Sequence, residues 1–445
     1  VRTGPDGKEY GLDELDPLLW PQSRYLLEEP AHFRALAALD AFLARDGDRL
    51  LPDPVKRVAF QRDLWAIFDW LASVSGEGGP RAAELARRIA RAMRRGALAP
   101  EEIRALPDNY AAAVASGSFP TQPTSGGRSE PFLPADLLRP DGTWVRLRTE
   151  AWEPLAPFHA DVIEGRSVFS VCLRLPGGRA ETLEYLAKLR AFPNPVVGDG
   201  EGRRLNPDLP QFPPGTAVAL LRRMVGVDDR GELVPTPITE SVQLRLYRST
   251  ANPAPNFGCC VDLFPIQEVF EFVLSRERLF TGVAGGLRAI GREEKGFGLR
   301  RSKLGDPFEG PSELFSAAPV LWQCGSCHAQ PGIYSVNSYT RISTGPGTIF
   351  DVEARENPWR LHPVEPRVPD GCAFAWKAGR ASFGYLRGLW AALPRGRATP
   401  RRGASPPPPA PRRRARTRHV RPLRSGGTLR PGGSSGSFLR GRGGR

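Results

Sequence analysis

Phe169-Ser170-Val171-Cys172-Leu173-Arg174-Leu175 repeats with a period of two. Phe169, Val171, Leu173 and Leu175 fall on one side and Ser170, Cys172 and Arg174 on the other, the pattern of a half-buried β-strand. Working outward, Val145 and Leu147 alternate with Arg146 and Arg148 behind the turn Pro140-Asp141-Gly142. Residues Ala217 to Val227, the turn Asp229-Arg230-Gly231, and then Val242, Leu244 and Leu246 predict at least two more strands. Leu183, Leu186 and Leu189 are spaced for a short helix. Ile266, Val269, Phe270, Val273 and Leu274 also fit a helix, with a strand as the alternative. Residues 132–310 thus read as a mixed α/β domain.

Upstream, residues 1–117 read as helical. Asp53 can cap a helix with Pro54 in its first turn, and Phe60, Leu64, Ile67 and Leu71 follow at helical spacing. A second helix from Ala82 to Arg95 aligns Leu85, Ile89 and Met93, with Gly96 where a C-terminal cap belongs. Its other faces carry Arg87, Arg88, Arg91, Arg94 and Arg95, a solvated face or a phosphate contact. Phe33, Leu36 and Leu43 predict an earlier helix starting near Pro30. A Ser/Gly/Pro-rich stretch over 118–131 reads as a linker. The fold class is α+β: a helical N-terminal region, a mixed middle region, a C-terminal segment over 311–394 and a basic tail over 395–445.

At 445 residues the chain is long enough for two or three domains. Its apolar runs stay short of the ~18 residues that a membrane-spanning helix needs. The net charge of +14 suggests a nucleic-acid binder until it is located: residues 395–445 hold 15 Arg and no Lys, Asp or Glu, so residues 1–394 sum to −1. Such a tail lacks the apolar content to fold and is expected to be disordered. Clustered guanidinium groups can bind nucleic acid or an anionic surface. The bland reading is compositional, since 56 Arg against 6 Lys marks a GC-rich gene whose read-through would look similar. The chain opens at Val1 with no signal peptide in view, as expected of a trimmed product or an alternative start.

One string carries chemistry: Cys324-Gly325-Ser326-Cys327-His328. It matches the Cys-x-x-Cys-His pattern of haem attachment. Two thiols must reach the two vinyl groups of one porphyrin, and a histidine directly after the second lies beneath the iron. In these five residues the chain resembles the c-type cytochromes. The resemblance implies thioether bonds from Cys324 and Cys327 to one haem c, iron ligation by His328, and a periplasmic or otherwise exported protein with an electron-transfer or small-ligand role. Small electron carriers place an axial Met downstream of the motif, whereas Met93 and Met224 both lie upstream here. The sixth position therefore falls to His362, in Trp359-Arg360-Leu361-His362-Pro363, or stays open to a small ligand. Met224, Met93, His159 and His32 are lesser candidates, each more simply read as core or loop.

The same cysteines have other uses. A structural zinc site needs four ligands, and Cys324 and Cys327 could combine with Cys259, Cys260, His328 or Cys372, although no second Cys-x-x-Cys pair exists. Trp322-Gln323-Cys324-Gly325-Ser326-Cys327 faintly resembles the thioredoxin motif, with Gln323 intervening. Cys172, Cys259, Cys260 and Cys372 allow three disulfide pairings, among which the sequence does not choose. Phosphate-loop and His-Glu-x-x-His signatures are absent, and no catalytic residue is assigned.

Overall fold

Alternation in the middle of the chain produces one seven-stranded antiparallel sheet in this computed structural model. The structure describes residues 2–3, 9–10, 13, 25–124, 127–148, 156, 159–160, 163–194, 196–197, 204–249, 264, 266–294, 320–324, 328, 331–336, 362–364 and 371–392. The strands are β1 (Val145–Arg148), β2 (Ser167–Arg174), β3 (Ala217–Val227), β4 (Leu233–Tyr247), β5 (Gln267–Leu274), β6 (Leu287–Ala289) and β7 (His362–Val364). From β1 to β6 each strand pairs with the next, and β7 joins the free edge of β1. The molecule is α+β. The 266–274 stretch, which fits a helix on spacing, is strand β5. Phe270, Phe272 and Leu274 enter the core, and the residues between them lie half-buried on the other face.

One face of the sheet is mostly apolar. Cys172, Ala219, Leu221, Val242, Leu244, Leu246, Phe270 and Phe272 pack against Ile103, Leu106, Tyr110, Phe132, Leu133 and Trp144. Met224 is fully buried in this cluster, so it is core. The Ser/Gly/Pro-rich stretch that reads as a linker is fastened to the same side. The Leu133 amide donates to the Pro120 carbonyl, and the Ser129 amide to the Glu268 carboxylate.

The N-terminal helices are α1 (Ala31–Ala44), α2 (Pro54–Ser73), α3 (Ser75–Gly96) and α4 (Asn109–Ala115). Asp53 caps α2 by accepting from the Val55 and Lys56 amides, with Pro54 as the first helical residue. Met93 is buried on α3 among Leu85, Ile89 and Trp65. Three arginines of α3 are engaged within the protein, Arg88 with Asp40 and Glu84, Arg94 with the Trp390 carbonyl, and Arg95 with Asp46 and Asp48, while Arg87 and Arg91 are exposed. Residues 1–394 form a single compact unit, because α2 and α3 share a core with Val168, Val225 and Val227 of the sheet. Gln61 fixes α2 to β3 by accepting from the Val227 amide and donating to its carbonyl, at 2.9 and 2.7 Å.

The second face of the sheet is divided. At one end, α5 (Arg179–Ala191) covers Val145, Leu147, Leu173 and Val218. Short helices α6 (Val320–Gln323) and α7 (Ile333–Val336) belong to the motif region, and Ile333 packs into the same cluster. Helices α8 (Gly371–Ala378) and α9 (Ala381–Ala392) return to α2 and α3, where Phe383, Leu386 and Trp390 complete their core. Among the described residues no helix is long and apolar enough to cross a membrane.

Candidate functional site

Val320 begins the short helix α6, and Cys324 follows its last residue with the thiol half-buried. The His328 amide donates to the Cys324 carbonyl at 3.0 Å, a bond of helical span that stacks the histidine one turn beyond the cysteine. Cys327, between them, lies outside the described residues, as do Cys259 and Cys260.

The His328 ring is oriented from α7. Its Nδ1 lies 2.6 Å from the Ser335 carbonyl, which accepts only, so Nδ1 carries the proton. Nε2 is left with its lone pair and makes no hydrogen bond to a described residue. Burial holds the imidazole well below its usual pKa, Arg245 and His159 lower it further, and the Ser335 contact opposes them. The ring is neutral and presents Nε2, the tautomer that ligates a metal. The residue's backbone is tied as well: Gln267 Nε2 donates to the His328 carbonyl at 2.6 Å.

Behind this histidine the second face of the sheet is polar. Arg245, Tyr247 and Gln267 lie within β4 and β5, with Tyr247 directly opposite Gln267 and Arg245 opposite Val269. Arg245 hydrogen-bonds Tyr247, whose hydroxyl sits 2.6 Å from Ser335 Oγ, and Ser335 Oγ donates to the Gly332 carbonyl. Two buried polar atoms here have no partner, Arg245 Nη1 and Gln267 Oε1. An unsatisfied buried donor or acceptor costs about 1–3 kcal/mol, more where it is charged.

The other candidate residues lie at varied distances from this centre. His362 starts β7 opposite Arg148, and its side chain lies outside the described residues. Four strand spacings, about 19 Å, separate β7 from β4. His159 is the histidine brought within electrostatic range of His328. It stacks on Phe169 with ring centroids 5.8 Å apart, and burial, then Arg245 and Arg222, push its pKa down to about 4. His32 is buried in α1 with Nδ1 on the Leu26 carbonyl. Cys172 is a free thiol enclosed in the core, and burial pushes its pKa up to about 12. Cys372 lies in α8 with its side chain outside the described residues. Among the described residues no three His, Cys, Asp or Glu side chains converge as a metal site. The basic tail over 395–445 is outside the described residues.

Of the residues that would hold a thioether-bound haem, the structure describes Cys324 and His328, while Cys327 lies outside the described residues. A half-buried thiol precedes by one turn a neutral imidazole with Nε2 bare, beside a buried guanidinium with an unused donor. Arg245, Tyr247, Gln267 and Ser335 carry no motif of their own, and sequence reading passed over them. The only signal was the polar run Ser241, Gln243, Arg245 alternating with Val242, Leu244 and Leu246 in a long strand. Compared with known proteins, the chain matches no family model, no curated sequence and no solved structure.

Proposed function

We propose that this protein is an exported haem c protein. Cys324 and Cys327 form the thioethers, His328 is the proximal iron ligand, and the role is electron transfer or small-ligand binding. The observation that carries this reading is the His328 ring, fixed by the Ser335 carbonyl with Nε2 unprotonated, one helical turn from Cys324. Bound haem supplies one-electron exchange between ferric and ferrous iron, or an open coordination position for a small molecule.

The chain's own residues do the rest. Ser335 orients the ring and, by accepting from Nδ1–H, raises the basicity of Nε2. Gln267 ties the His328 carbonyl to β5, so the imidazole is held by the sheet rather than by a loop alone. Partial burial, with Arg245 nearby, keeps the ring from protonating.

The test is a pyridine haemochrome spectrum of protein expressed with haem-maturation machinery, followed by acid–acetone extraction. Haem that stays with the polypeptide, and is lost in Cys324→Ala/Cys327→Ala, is the expected result. Colourless protein holding one equivalent of zinc would instead favour a structural metal site.

A further inference from the structure

Among the described residues, Arg245 is a buried charged group at this centre with no counter-charge paired to it. It is 7% exposed, it lies beneath His328 on the sheet, and Nη1 is buried without an acceptor. The carboxylates nearby are committed elsewhere. Glu268 is on the opposite face, paired with Arg248 at 2.7 Å. Glu271, diagonal to Arg245 across the β4–β5 ladder, accepts from Gln243 and has Arg222 and Arg288 as its basic neighbours. Glu240 is held by Arg62 and Arg222. A guanidinium buried in this way is costly unless something anionic meets it.

We infer that Arg245 anchors a carboxylate of the molecule bound at His328. This rests on the haem reading, in which the carboxylate is a haem propionate. Guanidinium pairs with carboxylate through a planar fork of donors, and Arg245 has its Tyr247-facing side used and its Nη1 side open. Gln267 Oε1 is an acceptor and repels a carboxylate set against it, which confines the anion to the Nη1 side. The guanidinium and the carboxylate then balance each other's charge.

The experiment compares the haem midpoint potential of wild type, Arg245→Gln and Arg245→Lys between pH 5 and 8. With Arg245 present the propionate stays ionised and paired, so the propionate adds no pH dependence to the potential. In Arg245→Gln the unpaired propionate titrates, and the potential is expected to fall below wild type as pH rises through that range and to approach it at the acid end. Arg245→Lys keeps the charge and restores the flat profile. Haem attached with unchanged potentials, or a fall equal at every pH, would overturn the propionate pairing. Absence of haem from wild type would instead overturn the haem reading, and the probe is then sodium propionate added to that protein. A rise in Tm seen in wild type and missing in Arg245→Gln supports a carboxylate site fed by a free acid; no rise in wild type overturns it.

Discussion

Lys377 offers a measurement whose sign runs against intuition. Its ammonium is 1% exposed, 2.7 Å from Asp69 Oδ2, and 4.9 Å from the Trp65 ring. Asp69 is shared, because Arg166 reaches the same oxygen at 2.7 Å. Burial lowers the Lys377 pKa from 10.5 to about 8; Asp69 and Glu164 oppose the fall and Arg166 adds to it. The unfolded chain holds this proton up to pH 10.5 and the folded chain only to about 8. Between those values the unfolded state binds more protons, so stability rises with pH across that window. Below pH 8 the full cost is present, about 3 kcal/mol for such a shift. Lys377→Met keeps an apolar side chain against Trp65 and leaves Asp69 to Arg166, but gives up a cation–π contact of about 1 kcal/mol. The variant should therefore be about 2 kcal/mol more stable than wild type at pH 7, an advantage that disappears by pH 10.5. Urea unfolding midpoints of both proteins at pH 7, 8, 9 and 10 measure the difference directly, with other titrating groups cancelling. A variant several kcal/mol less stable at pH 7, or a difference independent of pH, would refute the reasoning.

Two further outcomes are expected. Gly165 has φ +70° and its Cα lies under the Trp376 ring, so an added Cβ would sit 2.5 Å from that ring; Gly165→Ala should cost about 1–3 kcal/mol in urea unfolding by strain and by displacing α8. His328→Ala should keep some covalent haem while its spectrum shifts strongly, and a low-spin ferric spectrum that survives His362→Ala would exclude His362 and make His159→Ala the next comparison.

The sheet was readable where one face is apolar and the other polar. At β2 the alternation from Phe169 onward is regular, and the strand forms there. At β5 it misled, because Val269 and Val273 on the second face join Phe270 and Leu274 of the first to imitate helical spacing. A strand with apolar residues on both faces loses its period of two. The candidate site was legible only as far as the cysteines and His328. What orients His328 comes from Ser335 and, behind it, from Tyr247, which lies 88 residues away in the chain. Lys377 and Asp69 are separated by 308 positions. No local pattern encodes such pairs, since each partner looks alone like a solvated charge.

Helix α2 shows what those distant pairs do. Arg62 and Asp69 are seven residues apart, two turns along one stripe, with Trp65 between them. Arg62 Nε donates to Glu240 at 2.9 Å, both groups are fully buried, and Ser167 Oγ hydrogen-bonds the other carboxylate oxygen. Glu240 reaches them because the β3–β4 register slips there: Ser241 pairs with Arg222 and Thr239 with Arg223, leaving Glu240 as the extra residue of a bulge. Sliding α2 by one turn, about 5.4 Å, would set Ala66 or Val58 against Glu240 and would also part Gln61 from Val227. It would leave that buried carboxylate with Arg222 alone, at 3.5 Å, so the Arg62 ion pair favours the observed register. Arg62→Met/Glu240→Leu should then lose little stability or gain some, while Glu240→Leu alone, which strands Arg62, should lose about 3–5 kcal/mol. If register is what the pair supplies, amide spectra of the double variant will show doubled resonances along α2 and β3. A single sharp set, with stability unchanged, would mean that packing had fixed the register without it.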